Sequence, residues 1–87
     1  MTKKAIVLVI AGKELRFEPS LTAYNKYINE MMPHDKVAPA TNYLRRVVNK
    51  DDKSALDEVL QLPGAVMRLL HKVNEHFEDG LGIEVKN

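Results

Sequence analysis

The chain has no cysteine and no tryptophan, and only four glycines and four prolines among 87 residues. Without sulfur ligands or attacking groups, disulfides, thiolate zinc sites and cysteine nucleophiles are excluded together. The glycines form neither a Gly-x-Gly-x-x-Gly nor a Gly-Lys-Ser/Thr sequence, so no phosphate cradle is present. The longest apolar run, 5–11, is far short of the roughly 20 residues of a membrane span. It leads into Gly12-Lys13-Glu14 rather than a small-residue cleavage site, which makes it a strand and not a signal peptide. Charge of one sign is scarce as well, since 13 basic side chains against 12 acidic ones leave a net +1.

What remains is 45% hydrophobic and 29% charged, the composition of an ordinary globular protein with one core. The chain is read as a single domain over 1–87. Its near-neutrality conceals a division: residues 1–50 hold 9 basic and 4 acidic side chains, and residues 51–87 hold 4 and 8. Opposite halves attract each other, within one chain or between copies, and the second arrangement favours self-association.

Periodicity predicts the order of elements. The segment 4–18 carries the two-residue period of a β-hairpin turning at Gly12, with the first strand apolar on both faces and the more completely covered of the two. Helices are predicted over about 20–32, 38–49, 53–61 and 63–79. Ser20 caps the first, whose stripe is Leu21, Tyr24, Ile28 and Met31. Pro39 opens the second, with the stripe Ala40, Tyr43, Leu44, Val47 and Val48. Ser54 and Asp57 have the spacing of a capping box for the third. Pro63 opens the fourth, through Val66, Leu69, Leu70, Val73 and Phe77. In the tail, 80–87, Ile83-Glu84-Val85 alternates once, enough for a short third strand or a frayed end. The fold class is α+β, an N-terminal hairpin packed on a bundle of about four short helices.

Few residues suggest chemistry. His71 and Glu75 are four apart on one helix, the spacing of a metal pair, but they lie opposite the apolar stripe without a third ligand, and His76 points elsewhere. His34 has no serine or cysteine near it in sequence to activate. No metal, cofactor or catalytic group is therefore assigned. Asn42, Arg45, Arg46 and Lys50 make a basic, amide-bearing helical face, the alternative reading being a helix-turn-helix-like DNA-binding regulator. Against it, Asp51 and Asp52 follow at once, where a phosphate-facing segment would be basic. Tyr24, Tyr27, Met31 and Met32 give the first helix apolar or aromatic groups on more than one face, as in a helix either sandwiched in the core, the default reading, or partly reserved for another chain.

The hairpin over 6–18, the helix start Pro19-Ser20-Leu21-Thr22-Ala23-Tyr24-Asn25, the segment Val37-Ala38-Pro39-Ala40-Thr41-Asn42-Tyr43-Leu44 and the segment Leu62-Pro63-Gly64-Ala65-Val66 together resemble small phage tail assembly chaperones, over residues 3 to about 79. The resemblance implies a non-enzymatic protein of the host cell cytoplasm. It also implies two partners. One is the long tail tape measure protein, which such chaperones keep soluble, and the other is the tail tube protein, which they help recruit. It transfers no residue-level binding site.

Overall fold

The structure, a computed structural model, describes residues 5–78. Strands β1 (Ile6–Ile10) and β2 (Lys13–Phe17) are followed by helices α1 (Leu21–Glu30) and α2 (Val37–Val47), a 3-10 turn (Lys50–Asp52), then α3 (Lys53–Val59) and α4 (Ala65–Glu78). This is the α+β order of a hairpin followed by four helices. The tail with Ile83-Glu84-Val85 lies outside the described residues.

The strands pair antiparallel from Ile6 opposite Phe17 to Ile10 opposite Lys13. Ala11 and Gly12 connect them with φ of 51° and 77°, the two positive angles of a turn whose twist matches the strands. A two-residue turn makes Ile10 and Lys13 the closing hydrogen-bonded pair. By alternation, Val7 and Val9 on β1, and Glu14 and Arg16 on β2, point their backbone groups away from the hairpin.

Coverage of the strands is the reverse of the expectation. Leu15 and Phe17 of β2 are fully buried, whereas no residue of β1 is, and Val7 and Val9 face solvent. The difference comes from position. β2 lies inside, with the helices over one face and the end of α2 along its outer edge, while β1 lies outside it.

Several helix boundaries also move. The first helix ends at Glu30 and not at 32: Met31 is already extended, at φ −70° and ψ 130°, just ahead of Met32, the residue that Pro33 disfavours in helical backbone. Met32 and Asp35 then exchange backbone hydrogen bonds of 3.2 Å around a tight turn with Pro33 and His34 at its centre. The second helix opens two residues before Pro39, at Val37; proline is tolerated throughout a first turn, where no amide has an intrahelical acceptor. It stops at Val47, and Val48 turns extended to bridge Phe17, flanked by Glu18 N–H to Val47 O at 2.8 Å and Asn49 N–H to Arg16 O at 2.7 Å. This one-residue addition supplies β2 with a neighbour on its far side.

The capping box at Ser54 does not form. Ser54 is the second residue of α3, and Asn49 caps the preceding 3-10 turn by accepting from the Asp51 amide at 2.9 Å. The last helix begins at Ala65 because Gly64, at φ 77°, turns the chain just before it. Ser20 does cap α1, accepting from the Ala23 amide at 3.2 Å. The core joins Leu15 and Phe17 to Tyr43, Leu44, Leu56, Val59, Leu69, Leu70 and Val73.

Candidate functional site

The first helix carries two apolar faces, and its exposed one is the candidate site. Ala23 and Tyr27, four residues apart, are buried, while Leu21, Ile28, Met31 and Met32 are exposed along the opposite side and beyond its end. Of the stripe read from sequence, Leu21, Ile28 and Met31 thus point outward, and Tyr24 is half-buried. Aromatic packing decides the orientation. The Tyr27 ring lies 5.3 Å from that of Tyr43, and Tyr24 lies 6.4 Å from Tyr43 edge-on and 5.5 Å from Phe77 of α4.

Of the four residues predicted to meet a partner, Met31 and Met32 are exposed, Tyr24 is half-buried and Tyr27 is buried. Tyr27 is only 5% exposed and belongs to the core, where its hydroxyl donates to Met31 Sδ at 3.5 Å. Tyr24 sits at the border, its hydroxyl donating to Glu78. That hydrogen bond holds the Tyr24 phenol above its ordinary pKa, with burial adding to the effect. Burial also raises Tyr27, and pushes Tyr43 up to about 12. All three phenols are therefore neutral and serve packing rather than proton transfer. Met31 and Met32 are exposed, Met32 by 58%, and Val37 across the tight turn is exposed too. Sequence periodicity puts Leu21 and Ile28 on the helical stripe without marking them for a partner, and gives no sign of Val37; the seven-residue spacing of Leu21 and Ile28 on α1 is the signal that those two act together.

Beside Tyr27 a cleft of about 710 Å³ opens along α4, with Met67, Leu70, His71 and Asn74 among its lining. Asn74 Oδ1 is buried there and accepts no hydrogen bond among the described residues. The cleft has an apolar floor and one unused acceptor, which suits a side chain or amide of another protein.

The basic face is not kept whole. Asn42, Arg45 and Arg46 are exposed on α2, but Arg45 pairs with Asp57 of α3 at 3.0 Å, and Lys50 sits in the 3-10 turn next to Asp51. Two further ion pairs join the basic half to the acidic half: Lys13 to Glu58 at 2.6 Å, and Arg16 to Asp52, whose carboxylate accepts from the guanidinium at 3.0 and 3.2 Å and from the Arg16 amide at 2.9 Å. Arg16 accordingly lowers the Asp52 pKa, and Lys13 lowers that of Glu58, in each case first through the hydrogen bond. The attraction between the halves is met, at these three pairs, within one chain.

His34, His71, Glu75 and His76 are all exposed, and Glu75 leans toward Lys72 at 3.8 Å. No three His, Asp or Glu side chains converge as metal ligands among the described residues. No helix among them is long and apolar enough to cross a membrane.

Comparison with known proteins accords with a surface built to meet other proteins. No solved structure matches the chain. A relative from Haemophilus phage HP1, an 11.3 kDa protein of the lys 3′ region described as uncharacterized, is 34% identical over 85 residues, covering 98% of this chain and 83% of the relative. A family model described as phage tail assembly chaperone matches residues 6–87, and on that match the chain belongs to the phage tail assembly chaperone family.

Proposed function

We propose that this chain binds the tail tape measure protein through the outer face of α1 and the turn after it, keeps that client soluble, and helps recruit tail tube subunits to it. The role is non-enzymatic and belongs to the host cytoplasm, in keeping with tail assembly. The observation that carries the reading is the exposed strip Leu21, Ile28, Met31, Met32 and Val37 on an element whose other face is already committed to the core. Two methionines at its centre suit a variable client, because an unbranched thioether adapts to irregular partners. Tyr27 contributes from beneath by holding Met31. Tyr24 borders the strip and shares contact at its edge.

The contact made by one copy is weak, and retention comes from many copies along one long client. Weak contacts also release, so arriving tube subunits can replace the coat. Nothing in the geometry favours the nucleic-acid reading, since Arg45 is paired and Lys50 is off the helix.

Co-expression with the tape measure protein tests the proposal. Replacing Ile28 and Met32 by Ser removes about 1 kcal/mol of apolar contact at each half-exposed position, roughly thirtyfold in affinity together. Fold stability should change by less than about 0.5 kcal/mol per site. Client solubility should therefore fall in the double variant while its melting temperature holds. A wild-type chain that leaves the client insoluble, or a double variant that protects it as well as wild type, overturns the reading.

A further inference from the structure

Strand β1 is paired on one side only among the described residues. Among the described residues β2 takes its inner edge and nothing takes its outer edge, toward which Val7 and Val9 point their amides and carbonyls. The same two valines are 52% and 71% exposed. Free edges are ordinarily blunted by a charge, a proline or a bulge, and β1, Ile-Val-Leu-Val-Ile, has none of these. The contrast with β2 is local, because its outer edge is closed by Asn49 and by the Asp52 carboxylate.

A shallow groove of about 210 Å³ runs beside this edge on the core side, between Leu8, Val9 and Ile10 of β1 and Arg68, Leu69 and Lys72 of α4. Its apolar wall thus carries two cations. Arg68 has no ion-pair partner among the described residues, and Lys72 reaches Glu75 only at 3.8 Å.

We propose that the outer edge of β1 is a strand-addition site for an extended segment of another protein in which apolar and acidic side chains alternate. Backbone pairing would use the outward groups of Val7 and Val9. Alternate side chains of the added strand then fall on opposite faces. Apolar ones cover Val7 and Val9 on the outer face, and acidic ones lay their methylenes over Leu8 and Leu69 with the carboxylate at Arg68 and Lys72. Charge argues against a second copy as occupant: a two-fold pairing of β1 on β1 would bring the Arg68 and Lys72 of both copies to one side of the joined sheet, like against like. The site lies on the hairpin and α4 and does not depend on the client surface of α1.

The test is amide hydrogen exchange of Val7 and Val9 in the full chain, with a blocked peptide Thr-Val-Glu-Val-Glu-Val-Thr as probe. Both amides should exchange freely in the dilute free chain and slow at least about tenfold at saturating peptide. A peptide with Lys for Glu should bind at least about tenfold more weakly, and the double variant Arg68→Glu, Lys72→Glu should reverse that order. Val9→Pro removes an outward donor without touching the ladder to β2 and should abolish binding. Should that variant fail to fold, the charge-reversed pair, remote from the ladder, still decides. Slow exchange in the dilute free chain would mean that the chain closes its own edge, and slowing with protein concentration alone would mean a second copy. Either result, or indifference to peptide charge, overturns the proposal.

Discussion

Among the described residues, Ala11 is the one whose backbone is least suited to its side chain. At φ 51° its Cβ sits in the left-handed region, which costs a residue with a side chain about 1–2 kcal/mol, and Asn is favoured there before Gly in a turn of this type. Ala11→Asn keeps the turn, tolerates the angle and should stabilise the chain by about 0.5–1 kcal/mol, read as a rise of several degrees in melting temperature. An unchanged melting temperature would show that the neighbouring strands already absorb the strain. Tyr27 and Met32 illustrate the other residue-scale lesson. Both were legible as large groups on an apolar helix, but their opposite fates were not, because α1 offers two stripes and only the ring of Tyr43, sixteen positions after Tyr27, selects which one turns inward.

At the scale of elements, β2 is held on both edges by different means. Its inner edge has a strand, while its outer edge has one extended residue, Val48, and then the carboxylate of Asp52, which takes the Arg16 amide as a strand carbonyl would. This arrangement makes stability depend on acid. Hydrogen bonds from Arg16 depress the folded-state pKa of Asp52 below its ordinary 3.8, so its contribution is full above that value and is lost as pH falls through the depressed one. Asp52→Asn should therefore lower the melting temperature at neutral pH and flatten its decline as pH falls below 3.8. An equally steep decline in the variant would assign the acid sensitivity to other carboxylates. The elements themselves were readable from period, proline and glycine, and their ends were not. Val48 belonged to the helical stripe by spacing and was taken from it by an edge more than thirty positions earlier, a pairing that local pattern does not encode. The acid-lined 3-10 turn was visible only as a polar break, since Asp52 acquires its role from Arg16.

For the whole molecule the division of charge becomes a division of labour. The basic and acidic halves meet through Lys13–Glu58, Arg16–Asp52 and Arg45–Asp57, which leaves Arg68 and Lys72 beside β1 as the cations of a groove and leaves the outer strip of α1 without charge at its apolar positions. Two surfaces of one small chain should then answer salt in opposite ways. Raising sodium chloride from about 0.05 to 0.5 M shortens the screening length from about 14 to 4 Å, enough to weaken the groove's hold on carboxylates by several-fold. The same change leaves burial of methionine and isoleucine nearly untouched. The fold should persist, because exposed ion pairs are each worth only about 0–1 kcal/mol against a core that includes Phe17, Tyr43 and Leu44. Measured in one titration series, the acidic probe peptide should leave β1 while the client stays bound to α1. Joint loss of both would mean that client capture is electrostatic, and that the apolar strip of α1 is not what holds the client.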